Sequence, residues 1–305
     1  AAYAVSSESR QSGSTWLAVG FAKAAVLANV SRVHATPDKA IDWAVLEGKL
    51  VVRDGFCAVA RMALHELEIA EFVNGSDSEN DWPLSFSVAG FAPVGKPLDE
   101  HQLAGITDST FSRVGCLQGS PGVGKTFCVA SIVKAVIQRF GRDSIAVCAP
   151  TGKAAVRVAQ SMLANGVDLP ASTIHRLLQV EGEGGDGWSF HFNEQNPLPF
   201  RFLIIDESSM IDVDLLASLL RACTPSTHIL FVGDTGQLAP VGHGRPFFDL
   251  QQVIPTGKLT EIHRNSGRIV KACAEIRDHN RITFSEKLEL TSKDPENLVL
   301  IQCSD

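Results

Sequence analysis

The run Gly119-Ser120-Pro121-Gly122-Val123-Gly124-Lys125-Thr126 fits the pattern G-x-x-x-x-G-K-[ST], and it follows the apolar stretch from Val114 to Leu117. In this pattern glycines let backbone N–H groups curl around phosphates, the lysine adds a positive charge, and the hydroxyl binds magnesium. A helix predicted from Phe127 to Phe140 directs the positive end of its dipole at the same anion. The run therefore predicts a nucleoside triphosphate site between a strand and a helix. The alternative is a glycine turn that opens an ordinary helix.

The chain around this run alternates between strands and helices from Leu98 onward. The predicted strands cover residues 114–118, 145–149, 202–206 and 228–232. Such alternation is typical of an α/β fold, in which a parallel sheet is covered by helices on both faces. Ligands of these sheets bind beyond the carboxyl ends of the strands.

Composition limits the classes of protein that fit this chain. Its 305 residues are 45% hydrophobic and 20% charged, which is typical of a soluble globular protein of about two domains. The net charge of −7 argues against a broad basic face for nucleic acid, so any such contact requires a local groove. No stretch is long enough to span a membrane. Seven cysteines without a C-x-x-C pair are expected to be reduced core residues of a cytosolic protein.

The first 74 residues predict a small helical module. Leu17, Phe21, Ala24 and Ala28 have helical spacing and predict a packed helix between Trp16 and Val30. An Asp54-Gly55 turn between β-forming residues predicts a hairpin, and a further helix follows from Arg61 to Val73. This order suggests a winged-helix-like module that either touches nucleic acid or serves only as a packing domain. Residues 75–97 predict a linker.

Two further strand ends carry polar side chains. Leu203-Ile204-Ile205 ends in Asp206-Glu207, where Asp206 can hold Mg²⁺ and Glu207 can deprotonate an attacking water. The alternative is an acidic pair that caps the next helix. The run Phe231-Val232-Gly233-Asp234 leads into a glycine-rich loop in which Gln237 can sense the γ-phosphate.

Together these motifs resemble the superfamily 1 helicases, most closely the RecD-like branch of superfamily 1B. The resemblance covers residues from about 98 to 297. It implies a RecA-like P-loop domain at 98–290, with an inserted hairpin at 179–199 and the start of a truncated second RecA-like domain at 291–305. The hairpin, with an acidic glycine turn from Glu181 to Gly187, is either a wedge that splits duplex DNA or a variable surface insertion.

The resemblance also implies roles for individual residues in binding and hydrolysing ATP with Mg²⁺. Gln102 would recognise adenine, although it could equally be an exposed helix glutamine. Thr126 and Asp206 would hold the metal, and the catalytic residues would be Lys125, Glu207, Gln237 and Arg264. The remaining cofactor-binding residues would be Gly119, Ser120, Pro121, Gly122, Val123, Gly124 and Phe127. His263 and Asn265 beside Arg264, together with Ser208 and Ala239, depart from the commoner family residues.

A second group of residues would bind single-stranded DNA. The runs 149–155 and 172–178 are similar to family motifs that hold the DNA backbone. The residues that the resemblance assigns to DNA are Pro150, Thr151, Gly152, Lys153, Thr173, His175, Pro240 and Val241. Thr151 could instead only cap its helix, and a lone histidine such as His175 is often structural.

The function expected from the sequence is that of a cytoplasmic, ATP-dependent DNA helicase that moves 5′ to 3′ on single-stranded DNA and acts at duplex junctions in DNA repair and recombination. A partner subunit or a second motor domain would complete it, so the chain alone should bind ATP well and hydrolyse it poorly. The alternatives are the helicase portion of a conjugative relaxase and a non-motor switch in which ATP controls binding to DNA or to a partner.

Overall fold

A computed structural model describes residues 1–29, 36–75, 81–82, 90–92, 97–184, 187–261 and 275–276 of this chain. Arg264 and residues 291–305 lie outside the described residues, so the assignments made to them stay predictions.

The N-terminal part consists of helices around a three-stranded antiparallel sheet. Its elements are α1 (Ala2–Ser12), β1 (Trp16–Ala18), α2 (Val19–Asn29), α3 (Pro37–Leu46), β2 (Leu50–Arg53) and β3 (Phe56–Val59). The strand order is β1-β3-β2. The predicted hairpin is confirmed: Asp54 and Gly55 have φ angles of 51° and 81°, and a type I′ turn needs a positive φ at both positions.

The helix predicted from Trp16 to Val30 is wrong at its start and in its buried face. Residues 16–18 form β1, in which Leu17 pairs with Cys57 of β3. The buried residues of α2 are Ala22, Ala25 and Val26, whereas Phe21, Ala24 and Ala28 are exposed. This segment is apolar on nearly every side, so its periodicity could not define the buried face, and its pairing with β3 is not local.

The helix α4 (Ala60–Asn74) connects this part to the larger sheet. Its residues Ile69 and Val73 are buried in the apolar core under one face of that sheet. Trp82, a residue of the predicted linker, is buried in the core on the other face of the sheet. Trp82 is 1% exposed, and its ring centroid lies 5.1 Å from that of Phe202.

The larger part is a six-stranded sheet with its connecting helices. In chain order the elements are α5 (Glu100–Ser109), β4 (Val114–Gly119), α6 (Lys125–Phe140), β5 (Ile145–Ala149), α7 (Gly152–Ala164), β6 (Ala171–Thr173), α8 (Ile174–Leu178), β7 (Val180–Gly184), β8 (Gly187–Phe190), β9 (Phe202–Ile205), α9 (Val213–Arg221), β10 (His228–Gly233), α10 (Pro246–Leu250) and β11 (Thr256–Leu259). The sheet has the order β11-β4-β10-β9-β5-β6, and all neighbouring strands are parallel.

Helices cover both faces of this sheet. Successive residues of a strand point to opposite faces and therefore belong to different cores. In β9, Ile204 belongs to the core under α6 and α7, whereas Ile205 belongs to the core under α4, α8 and α9. The predicted α/β, RecA-like P-loop fold with helices on both faces is confirmed.

The edge strands β6 and β11 were not predicted from the sequence, because they are short and contain few strong β-forming residues. The predicted turn of the inserted hairpin was also too long. Residues from Glu181 to Gly184 continue β7, which pairs with β8 in an antiparallel hairpin. The hairpin itself is confirmed.

The five cysteines among the described residues are buried and free, as expected for core thiols: Cys57, Cys116, Cys128, Cys148 and Cys223. None of the helices in the described ranges combines the length and the apolar character that crossing a bilayer requires.

Candidate nucleotide-binding site

Three predicted motifs leave the sheet at the same edge. The strand β10 lies between β4, which leads into the phosphate loop, and β9, which leads into the acidic pair. Gly233 at the end of β10 is in register with Gln118, and Phe231 is in register with Ile205. The sheet therefore brings together the loops that start after residues 119, 205 and 233.

The phosphate loop has the backbone that its glycines allow. Gly122 and Gly124 have φ angles of 90° and 92°, a region that residues with a side chain rarely adopt. Gly124 also precedes Lys125, the first residue of α6. The loop thus ends at the amino terminus of a 16-residue helix, where free N–H groups favour an anion.

The side chain of Lys125 reaches back from the start of α6 to the phosphate loop. Its Nζ donates hydrogen bonds to the carbonyl of Gly119 and, at 3.3 Å, to that of Ser120. Burial lowers the pKa of Lys125, while the nearby carboxylates of Asp234, Glu207 and Asp206 act in the opposite direction. The ammonium group is therefore already close to the acidic residues with which it would share a nucleotide.

Asp206 is a buried carboxyl beside that lysine. Burial, followed by the charge of Glu207, raises the pKa of Asp206 to about 6, although Lys125 and Arg157 partly offset the rise. The Asp206 N–H donates to the carbonyl of Cys148 at 2.9 Å, which fixes this residue between β9 and β5. A buried anion of this kind is stabilised by a cation.

Glu207 has a strained backbone and a partner from the neighbouring loop. Its φ of 52° is unusual for a residue other than glycine, and such conformations concentrate at functional sites. The side-chain amide of Gln237 donates to Glu207 Oε2 at 3.3 Å. Ser208, one of the departures from the family pattern, is buried and donates to the carbonyl of Ile205 at 2.7 Å.

The donor set at this edge suits Mg²⁺. Within the described ranges no three His, Cys, Asp or Glu residues form a metal-binding group. Mg²⁺ is usually held by one or two protein oxygens, with phosphates and waters completing its shell. Thr126, in the first turn of α6, and the carboxylate of Asp206 provide oxygens of that kind.

Three further residues near Lys125 and the phosphate loop were not predicted from the sequence. Asp234 is only 7% exposed, and its charge has the largest electrostatic effect on Lys125 among the carboxylates. Gln118 donates to the hydroxyl of Thr235 at 2.6 Å and so connects the phosphate loop to the loop after β10. Arg157 on α7 influences both Lys125 and Asp206. The position of Asp234 directly after a buried strand was a usable signal, whereas Arg157 depends on the tertiary structure.

A cleft of about 350 Å³ opens beside the phosphate loop. Its walls come from the ends of β4, β10 and β11 and include Ser120, Asp234, Thr235, Lys258 and Thr260. The cleft thus provides polar and cationic groups next to the loop.

Gln102 is buried, so the alternative of an exposed helix glutamine is wrong. Its side-chain oxygen accepts the N–H of Asp99 at 3.3 Å, while Asp99 Oδ1 accepts the N–H of Gln102 at 2.7 Å. This reciprocal pair is a capping box at the start of α5. Recognition of adenine by Gln102 stays a prediction.

The residues assigned to DNA lie at helix starts and in one exposed loop. Pro150 and Thr151 immediately precede α7, which begins with Gly152 and Lys153, and the Thr151 hydroxyl accepts the N–H of Ala154 at 3.3 Å. Thr173 caps α8 in the same way, with Arg176 as donor.

The other assigned residues differ in their surroundings. The ring of His175 lies 5.4 Å from that of Trp188 in the inserted hairpin. Val241 is 91% exposed, and Pro240 precedes it in the loop after β10. Contact of any of these residues with DNA stays a prediction.

The sheet and the loops at its edge are those of a RecA-like P-loop domain. Residues 102–243 match the family model of an AAA domain. In sequence the chain is homologous to RecD-type DNA helicases, as the motifs indicated.

Two curated relatives show the extent of this similarity. The ATP-dependent RecD2 DNA helicase of Deinococcus radiodurans is 36% identical over 204 residues, which are 66% of this chain and 27% of the relative. The RecBCD enzyme subunit RecD of Mycobacterium tuberculosis is 37% identical over 153 residues, or 45% of this chain and 26% of the relative. The chain thus spans about a quarter of the length of these relatives.

Among solved structures, the Pif1 helicase from Candida albicans has a TM-score of 0.46 and 23% sequence identity. The match covers 62% of this chain and 45% of that one.

Proposed function

We propose that this chain is the nucleotide-binding part of an ATP-dependent DNA helicase that moves 5′ to 3′ along single-stranded DNA. The observation that carries the proposal is the hydrogen bond from Gln237 to Glu207, next to Lys125 and Asp206. The named activities of the RecD and RecD2 relatives support it.

The ATP site would work through a change in the partners of Lys125. Its Nζ, which donates to two carbonyls of the phosphate loop, would turn to the β- and γ-phosphates. Mg²⁺, held by Thr126 and Asp206, would neutralise charge on the phosphates. Ionised Asp206 is then stabilised, because the pKa that burial raises falls again beside a cation.

Hydrolysis would rest on Glu207 and Gln237. Glu207 can accept a proton from the attacking water, and the Gln237 amide fixes the carboxylate through Oε2. The same amide can meet the γ-phosphate, so the loop after β10 can sense whether that phosphate is present. Arg264 is proposed to stabilise the transferring phosphoryl group.

DNA would cross the same edge of the sheet. The hydroxyls of Thr151 and Thr173, the turn at the start of α7 and the side chain of Lys153 suit phosphates without base preference. Pro240 and Val241 belong to the loop that carries Gln237, so DNA contact there would reach the ATP site directly. The wider proposal includes duplex junctions as substrate, a role in repair and recombination, a partner subunit or second motor domain, and a cytoplasmic location.

The test is ATP turnover by this chain with Mg²⁺, with and without single-stranded DNA. Lys125→Ala should reduce both ATP binding and turnover, and Glu207→Gln should retain binding but lower turnover roughly 10²-fold or more. Lys134→Ala, which removes a lysine from the same helix away from the loop, is the matched control.

Two outcomes would overturn the motor proposal. If DNA never stimulates turnover, either in this chain or in a longer form that carries a second motor domain, although ATP changes the affinity for DNA, the non-motor switch is the correct function. If Lys125→Ala binds ATP as well as the wild type does, the nucleotide site is misassigned. Unwinding of duplexes with 5′ or 3′ tails tests the direction of movement.

A further inference from the structure

The loop after β10 is held at its first end by its own backbone and by the ATP site. Asp234 Oδ1 accepts the N–H of Gly236 at 2.9 Å, and the Asp234 carbonyl accepts the N–H of Gln237 at 3.2 Å. Gln237 then donates to Glu207. The position of this amide therefore depends on how the rest of the loop is held.

The other end of the loop is anchored by His243, which is only 2% exposed. Its carbonyl accepts the N–H of Val213 at 2.9 Å, at the start of α9. Its Nδ1 lies 3.6 Å from Asp214 Oδ2. Its Nε2 lies 3.3 Å from both the hydroxyl and the carbonyl oxygen of Ser6 in α1.

Glycines on either side of His243 allow this close packing. A Cβ on Gly242 would lie 1.9 Å from Asp212 Oδ2, and a Cβ on Gly244 would lie 2.5 Å from a methyl of Val213. The same added Cβ on Gly244 would also lie 3.2 Å from Cγ2 of Thr15, in the N-terminal part. The end of the loop thus fits between α9 and the N-terminal helical part.

Asp214 ties the same anchor to α4. His65 Nδ1 lies 3.1 Å and Arg61 Nε 3.6 Å from Asp214 Oδ1. Burial alone would raise the pKa of Asp214, but the contacts with His243, His65 and Arg61 outweigh it and hold the pKa below its usual range. One carboxylate therefore links the loop to a second helix of the N-terminal part.

Between its two ends the loop has little support. Leu238 and Val241 are 90% and 91% exposed. Because few other contacts hold the middle of the loop, the position of Gln237 depends on how both ends of the loop are anchored. Movement of α1 or α4 would then change the position of Gln237.

We propose that His243 is a positioning residue through which the N-terminal helical part controls Gln237, and so the rate of ATP hydrolysis. This inference rests on the proposed ATPase function. It assigns the first 74 residues a role in turnover, transmitted by Ser6, His243 and Asp214.

The first test compares His243→Ala with His243→Gln by steady-state ATPase kinetics and by binding of a fluorescent ATP analogue. His243→Ala should lower kcat roughly tenfold, because the loss of a hydrogen bond that positions Gln237 raises the barrier to hydrolysis. Nucleotide affinity should stay unchanged. His243→Gln can still reach Ser6 with its amide and should recover part of kcat. Val167→Ala, which opens a small cavity in the core at a distance, controls for general destabilisation.

A second measurement does not depend on turnover. Amide hydrogen exchange should slow in α1 as well as in the loop when a non-hydrolysable ATP analogue binds, and His243→Ala should abolish the effect in α1 only. Absence of protection in wild-type α1, an unchanged kcat in His243→Ala, or an equal kcat loss in Val167→Ala would each overturn the inference. Failure of the wild type to bind ATP would instead contradict the proposed function.

Discussion

At the scale of single residues, the site contains a carboxyl whose charged form is disfavoured, first by burial and then by an adjacent carboxyl. Asp206 is buried next to Glu207, and its pKa of about 6 exceeds the ordinary value of 3.8. Burial and Glu207 thus disfavour the ionised form of Asp206, and Lys125 and Arg157 offset this only in part. Such a disfavoured charge is a common cost of binding sites.

Replacing Asp206 should therefore stabilise the nucleotide-free protein at neutral pH. A carboxyl with a raised pKa contributes stability that is fully present below its unfolded-state pKa of 3.8 and is lost as pH rises through about 6. Asp206→Asn should be more stable than wild type at pH 8 by on the order of 1–3 kcal/mol, with the difference vanishing near pH 4. Urea unfolding across this range measures it.

Asp143→Asn, which makes the same substitution at an exposed position, is the matched control. Equal or lower stability of Asp206→Asn at pH 8 would show that the buried charge is not destabilising. The same variant should lose Mg²⁺-dependent ATP binding.

At the scale of secondary-structure elements, α5 is fixed by direct backbone contact with β11. A Cβ on Gly257 would lie 1.8 Å from the carbonyl oxygen of Gly105. His101, also on α5, accepts the N–H of Thr260 at 2.9 Å. The helix that carries Gln102 is thereby held against the edge of the sheet.

Gly257→Ala should force α5 away from β11. The backbone atoms in contact cannot rotate aside, so we expect a loss of about 1–3 kcal/mol in the free energy of unfolding. Gly20→Ala in α2 is the matched control, because nothing lies within 4 Å of its added methyl group. It should be neutral or slightly stabilising. A Gly257→Ala variant as stable as the wild type would rule out the close contact.

The sequence predicted the elements whose signals are local. The strands at 114–118 and 145–149 are long apolar runs, and the Asp54-Gly55 turn defines its hairpin through backbone conformation. The strand β1 was not predictable in this way, since three residues become a strand only by pairing with β3. The same holds for the candidate site. Lys125 and Asp206 were predictable because they lie in short sequence motifs. The contacts of His243 with Ser6 and Asp214 were not, because they join residues far apart in the chain.

At the scale of the whole molecule, Asp81 and Trp82, which lie between the two parts in the chain, are bound at the edge of the large sheet where its strands begin. Asp81 forms an ion pair with Arg201, and its N–H donates to Nε2 of His228 at 2.8 Å. The Trp82 indole N–H donates to the carbonyl of Arg113 at 3.3 Å. This attachment lies at the edge opposite to the nucleotide site.

The attachment should weaken in acid. Burial lowers the pKa of His228 from 6.5 to about 4, so its stabilising contribution is complete above pH 6.5 and is lost as pH falls towards 4. His228→Phe loses the hydrogen bond to Asp81 and should be less stable than wild type by about 1–2 kcal/mol at pH 7.5. At pH 4.5 this difference should shrink or reverse.

Urea unfolding at the two pH values measures the difference between wild type and variant. A difference for His228→Phe that does not depend on pH would mean that the pKa of the ring in the folded protein is not lowered from its ordinary value.

The inserted hairpin enters and leaves the rest of the molecule at adjacent residues, and its Trp188 ring also lies against His175 of α8. The N–H of His191 donates to the carbonyl of Gln179 at 2.9 Å, and that of Phe192 donates to the carbonyl of Leu178 at 3.1 Å. Since entry and exit are adjacent, strands of another length could replace residues 180–190 without changing the register of the large sheet. A hairpin of another length or sequence can therefore be exchanged at this position while the six-stranded sheet keeps its geometry.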